Sequence, residues 1–265
     1  MRCIFCKNDS SLSTSVEHII PESLWNTKQI LPRGIVCDGC NNYFARKVEK
    51  PFLDSLALTH LRFHEAVPNK RGRIPSIEGL ILPGHVVRAH RHTDGSVAAS
   101  LDVPPEAFAE IMRTKTSTVV FPMSGSPPDD AVISRFLAKV AVEGMAQRVM
   151  STPGGIDYLV DEQQFDPIRR FARMGEPKHW PHHSRRIYET NHRWICEDGK
   201  DFQVVHEYDF LHTGHGELYF VLALYGLELT LNIGGPDIEG FIAWLAEHED
   251  ASPLHTGKNA PWGMR

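Results

Sequence analysis

Two Cys-x2-Cys pairs, Cys3/Cys6 and Cys37/Cys40, stand thirty residues apart at the start of the chain, and nothing else in the sequence restricts its fold as tightly. Two thiols separated by two residues fit one edge of a tetrahedron, because the turn between them aims both sulfurs at one point. Two such pairs complete a closed four-sulfur site of the kind that holds structural zinc. Four protein ligands leave no position for water, so this metal stabilises a fold and takes no part in catalysis. A segment this short cannot bury a large core, and the metal supplies what the core does not. Redox disulfides and accidental spacing are the alternatives, but redox Cys-x2-Cys motifs occur singly beside a βαβ pattern, which is not visible here. Cys196 stands apart from the other four and reads as buried packing.

Around the cysteines the pattern alternates. Residues 15–20 and 34–37 are β-like, on either side of a loop containing Pro32-Arg33-Gly34. From Asn41 the chain turns helical, and Pro51 either interrupts that helix or starts a second one that runs to about Phe63. Residues 68–73 read as a basic linker. This divides the 265 residues into a small zinc module at 1–67 and a larger α+β domain at 74–265. In the larger part, residues 74–103 predict strands with turns at Pro83-Gly84 and Asp94-Gly95. A short helix at 105–113 and a strand at 117–123 follow. Helices are expected at 129–150, 162–174 and 238–247, and an antiparallel strand pair at 202–211 and 217–233. His179, His182 and His183, beside Arg185 and Arg186, read as a basic surface loop, and His212 and His215 as turn residues. His60 and His64 have metal-pair spacing, which arises easily by chance among 15 histidines.

Between the cysteine pairs sits Ser15-Val16-Glu17-His18-Ile19-Ile20-Pro21, and Cys37-Asp38-Gly39-Cys40-Asn41-Asn42 opens the following helix. In this order and with these flanks, residues 1–55 resemble the HNH endonucleases, whose core is a zinc-bound ββα-metal (treble-clef) module. The resemblance implies hydrolysis of phosphodiester bonds. Such a reaction needs a deprotonated water in line with the leaving oxygen, and a cation to relieve the charge that develops there. Histidine titrates near neutrality, and oxygen ligands suit a hard divalent cation such as Mg²⁺ or Mn²⁺. By resemblance, His18 would be the general base, and Glu17 and Asn41 would ligate the catalytic metal. Consecutive strand residues point to opposite sides, so Glu17 and His18 would serve different partners. Two positions depart from the family. Its middle Asn is replaced by Pro32, leaving Asn26 or Gln29 to shape the loop, and Tyr43, Phe44 and Ala45 stand where many members carry a further His. An all-histidine metal site is thereby excluded, and a carboxylate-plus-asparagine site remains.

Charge is unevenly distributed. Residues 1–73 carry eleven Lys/Arg against seven Asp/Glu, whereas the remainder carries 17 against 26, so it is the N-terminal part that suits a polyanion. Arg46, Lys47 and Lys50 on the helix, with Lys70, Arg71 and Arg73 in the linker, are candidate phosphate contacts. The expected substrate is DNA, although the motif does not separate DNA from RNA. The competing reading is a non-catalytic zinc-ribbon DNA-binding module fused to a sensing or assembly domain. The C-terminal domain is a place for a protein partner or activator, and HNH modules recur in restriction, mobile-element and phage-defence proteins. No stretch of ~18 apolar residues predicts a membrane span. Without a signal-peptide run, the expected location is the cytoplasm, where thiols stay reduced.

Overall fold

The computed structural model describes residues 1–69, 71–92, 99–123, 125–195 and 199–255, so Lys70, the Asp94-Gly95 turn and Cys196 lie outside the described residues. Its contacts gather into two compact units. One comprises Met1–Ile20, Thr27–Lys50 and the chain from Asp129 onward; the other comprises Pro21–Asn26 and Pro51–Pro128. This partition differs from a division at residues 67–74. The cysteine-bearing segment shares a unit with the C-terminal part, and the middle of the chain forms a unit of its own.

In the N-terminal segment a two-residue strand β1 (Glu17–His18) pairs antiparallel with β2 (Ile30–Leu31), placing Glu17 opposite Leu31 and His18 opposite Ile30. The β partner therefore comes earlier than the expected 34–37, which is a turn. Gly34 adopts φ +89° there, and a Cβ would come within 2.8 Å of the Met1 sulfur. Helix α1 (Asp38–Phe44) starts on Cys37, whose Sγ accepts the Cys40 N–H at 3.4 Å. It continues into a π turn at Ala45–Glu49 and a short helix α2 (Lys50–Leu53). Pro51 accounts for the π turn: it has no N–H to donate and its ring crowds the carbonyl four residues back, so the helix widens just before it. Ser55, whose hydroxyl accepts the Leu58 N–H at 3.4 Å, then caps a fresh helix, α3 (Leu56–His64).

The middle unit is a four-stranded antiparallel sheet of β3 (Ile77–Ile81), β4 (His85–Arg91), β5 (Ala99–Asp102) and β6 (Val119–Val120), in the order β5-β4-β3-β6. Helix α4 (Pro105–Thr114) lies between β5 and β6 in sequence. The sheet buries one face. Ile77, Ile81, Val87 and Ala89 turn inward to Phe63 of α3 and Ala107 of α4, while Leu80, Val86 and Val120 stay exposed.

The C-terminal part of the first unit is built on α5 (Asp130–Val149), in which twelve residues are buried, on every side of the helix. Around it pack α6 (Gly155–Asp161), α7 (Asp166–Met174), the π turn, β2 and a four-stranded sheet. That sheet contains β7 (His182–Arg186), β10 (His206–His212), β11 (Leu218–Leu224) and β12 (Leu227–Asn232), in the order β10-β11-β12-β7. A small separate pair, β8 (Trp194–Ile195) and β9 (Asp201–Phe202), lies between β7 and β10 in sequence. Tyr219, Val221 and Ala223 of β11 face the last helix, α8 (Glu239–Glu247), through Phe241 and Leu245. With both faces covered, β11 reads as an unbroken apolar run. Two sequence expectations are corrected here. The run at 217–233 holds two strands, not one, because Tyr225 (φ 48°) and Gly226 (φ 79°) form a tight hairpin turn. The supposed basic loop containing His182, His183, Arg185 and Arg186 is the edge strand β7, paired with β12.

Gly226 also permits a close approach, since a Cβ there would lie 2.1 Å from the Tyr188 carbonyl oxygen. Gly226→Ala is therefore expected to destabilise the protein by more than ~1 kcal/mol, read as a lowered Tm or denaturation midpoint. An unchanged midpoint would mean that the turn relaxes at no cost.

Candidate active site and zinc centre

The four cysteines converge as their spacing predicts. The sulfurs of Cys3, Cys6, Cys37 and Cys40 all lie within 4.8 Å of one another. A tetrahedral zinc with Zn–S bonds of ~2.3 Å requires edges of ~3.8 Å, and Cys6 and Cys37 are 3.7 Å apart. Backbone amides prepare the sulfurs for negative charge: Cys3 Sγ accepts the Cys37 N–H at 3.3 Å, and Cys37 Sγ accepts that of Cys40. Hydrogen bonding to Cys40 pulls the Cys3 thiol down to about 4, and the same contact, with burial, pushes Cys40 up. Four sulfurs this close resist ionising together, and a divalent ion removes that conflict by taking all four as thiolates. The donor set thus fits structural zinc. Salt bridges tie the first knuckle to the rest of its unit, from Arg2 to Asp161 at 2.7 Å and from Lys7 to Asp166 at 2.6 Å.

Glu17 and His18 form β1, and Asn41 lies near the strand through its contact with Val16. Asn41, in the first turn of α1, donates its side-chain N–H to the Val16 carbonyl at 3.0 Å. That bond holds the side-chain amide against the strand. Thr14 and Ser15 just upstream are held by the Asp38 carboxylate, which accepts the Ser15 N–H at 2.9 Å. His18 is half-buried, and its neighbour Glu17 faces the interior, only 5% exposed.

Glu17 does not face an open coordination site. Its Oε1 lies 2.8 Å from the ammonium of Lys139, a fully buried residue in the middle of α5. The same Nζ lies 2.7 Å from Glu49 and 2.8 Å from Glu143, and it donates to the carbonyls of His18 at 3.1 Å and Ile19 at 3.3 Å. A catalytic metal on Glu17 would have to displace this ammonium, so the carboxylate does not fit the role of metal ligand in this arrangement.

Three carboxylates around one ammonium leave surplus negative charge in the interior. Glu17 Oε2 and Glu143 Oε1 lack hydrogen-bond partners among the described residues. Burial pushes the Glu17 carboxyl up, and that of Glu143 well up, despite the attraction of Lys139. Burial alone would lower Lys139, but Glu143, Glu17 and Glu49 outweigh it and hold the ammonium charged, well above its usual range. Burial thus shifts Glu143 toward its protonated form in the folded state relative to the unfolded chain. The folded protein then binds more protons than the unfolded one above pH ~4.5, and this contribution to stability falls as pH rises through the raised folded value. Glu143→Gln mimics the protonated acid. It is expected to match the parent's Tm near pH 4–5 and exceed it at pH 8, by about 2–4 °C for each kcal/mol recovered. Parallel Tm-versus-pH curves would count against the protonated acid.

The remaining candidates are scattered. Arg46, Lys47 and Lys50 are exposed along the π turn and α2. Arg71 and Arg73 are exposed too, but belong to the other compact unit. The His60 and His64 rings stand 6.3 Å apart, and His60 is buried, which lowers its affinity for a proton. Among the described residues, the four cysteines are the group arranged to hold a metal. Of the substitutes for the missing middle Asn, Asn26 is fully buried and Gln29 pairs through its carbonyl with the Ile19 N–H at 3.1 Å.

The two cysteine pairs bracket a short β hairpin, and a helix follows from the second pair. Residues 3–57 match the HNH endonuclease family. The match spans about a fifth of the chain, from Cys3 into α3. No curated protein and no solved structure matches the chain significantly. The HNH module points to a nuclease with a nucleic-acid substrate. Lys139, which sequence reasoning missed, had one visible signal: a Lys and a Glu four residues apart inside an otherwise apolar helical stretch.

Proposed function

We propose that the protein is a divalent-metal-dependent endonuclease that hydrolyses phosphodiester bonds in DNA, with His18 as the general base. The observation that carries this reading is the HNH match over a segment whose β1, zinc centre and α1 are tied together, with His18 half-buried on the face opposite Glu17. A base in that position would accept the proton of the attacking water. A divalent cation, Mg²⁺ or Mn²⁺, would neutralise charge at the scissile phosphate, and Asn41 Oδ1 is the oxygen that these residues offer it. Glu17 is assigned instead to the buried ion cluster. The exposed Arg46, Lys47 and Lys50 supply charge for flanking phosphates without reading sequence. No helix among the described residues is long and apolar enough to cross a membrane.

The test is supercoiled plasmid incubated with purified, zinc-loaded protein, with Mg²⁺ or Mn²⁺ and with each withheld. Metal-dependent conversion to nicked or linear forms is the expected result. Zinc-loaded, folded protein that retards DNA in a gel but never cuts it would favour the zinc-ribbon binding module. Cleavage of single-stranded or structured RNA in place of plasmid would move the substrate to the other polymer.

A further inference from the structure

The buried ammonium of Lys139 has a consequence for catalysis. The residue lies on α5, well outside the HNH match, yet it donates to the backbone carbonyls of His18 and Ile19 and pairs with Glu17. It therefore grips the strand at the very residue read as the base. On that strand the β1–β2 pairing covers only two residues, so little sheet holds the backbone there. The Asn41–Val16 bond secures the strand upstream of Glu17, and Lys139 secures it at His18 and beyond. Glu49, from the π turn after α1, accepts from the same ammonium at 2.7 Å, which ties the strand and helix of the HNH module to one point.

We propose that Lys139 is a positioning residue for the nuclease: its ammonium fixes the main chain that carries His18 and makes the competence of the HNH module depend on α5. This rests on the reading of His18 as general base. Lys139 touches neither water nor substrate in this role. It acts through the backbone geometry of His18, where a displacement of about 1 Å is enough to cost ~10²-fold in rate.

Lys139→Met keeps the length of the side chain and removes the charge. Because it removes the counter-charge of Glu17 and Glu49, it is made both alone and with Glu143→Gln, which keeps position 143 uncharged at every pH. Val140→Ala, at a fully buried apolar neighbour on the same helix that is not among the ion cluster's partners, is the control for simple destabilisation. Two readouts are taken on folded, zinc-loaded protein: kcat and KM for plasmid nicking, and amide exchange of a peptide spanning residues 16–20 by mass spectrometry. The expected result is a kcat lowered ~10- to 100-fold in both Lys139 variants, with KM within about twofold, and faster exchange at residues 16–20. Val140→Ala should lose Tm without either change. Lys139→Met/Glu143→Gln with parental kcat and exchange overturns the proposal, as does an equal loss of kcat in Val140→Ala. If the parent itself does not cut DNA, the nuclease reading fails first. An active parent with an indifferent Lys139 variant sinks only the positioning role.

Discussion

Replacing His18 by alanine is expected to slow metal-dependent plasmid nicking by ~10²–10⁴-fold while leaving zinc content and DNA retardation intact. The size of the effect follows from the chemistry. Without a general base, the attacking water must lose its proton to solvent, and the advantage of a correctly placed acceptor disappears. The selectivity follows from the structure, because His18 is half-buried on a strand whose neighbours carry the anchoring contacts. The zinc cysteines, the Asn41–Val16 bond and the Lys139 carbonyl contacts involve the backbone or other side chains. Truncating the imidazole leaves all of them in place. Rates are compared under single-turnover conditions, with Tm and metal content measured on the same preparation. Nicking by the alanine variant within about threefold of the parent would remove His18 from the chemistry.

The second large effect concerns zinc. One zinc ion per chain is expected by elemental analysis, and Cys37→Ser should abolish it together with ordered structure in the HNH module. Cys37 has two tasks that serine meets only in part. Its sulfur closes the metal site, and it caps α1 by accepting the Cys40 N–H. A hydroxyl retains the cap but is a poor fourth ligand in a sulfur site. Structural zinc contributes on the order of 10–16 kcal/mol of apparent binding free energy in small zinc-finger peptides near pH 7, far above what this short segment can recover elsewhere. A strong chelator should reproduce the effect, and so should acid, because protons compete for the four thiolates. The signature is faster amide exchange over the two knuckles and α1. A Cys37→Ser protein that still holds stoichiometric zinc and full protection would refute the four-cysteine site.

The four-cysteine site was legible because its residues come in two local pairs, and local spacing is what a sequence displays. The positions of His18 and Asn41 on β1 and in the first turn of α1 were legible for the same reason: each lies beside a local strand or cysteine signal. The role expected of Glu17 did not survive, because what decides it is Lys139, far along the chain. No local pattern links residues 17 and 139, whose meeting depends on how α5 packs against β2 and the π turn. The edge strand β7 escaped for a different reason. His182, His183, Arg185 and Arg186 look like a solvated loop, yet charged side chains are what protect a sheet edge from further pairing. The second strand of the module was placed too late because Gly34 marks a tight turn there, and a β-branched run after a turn resembles a strand in sequence. Most of the long helices and the β hairpins appeared near where their periodicity put them.

The ion cluster also bears on whether the HNH-matched segment is portable. The family match ends at residue 57, which invites treating the N-terminal segment as a cassette to be cut out or grafted onto another protein. Such a fragment would carry Glu17 and Glu49 without the ammonium that neutralises them, and Arg2 and Lys7 without Asp161 and Asp166. In this chain the cassette has no clean edge: a helix supplied by the second half of the chain is part of its interior, so a functional transplant must carry α5 along or replace the Lys139 cluster with matched apolar residues.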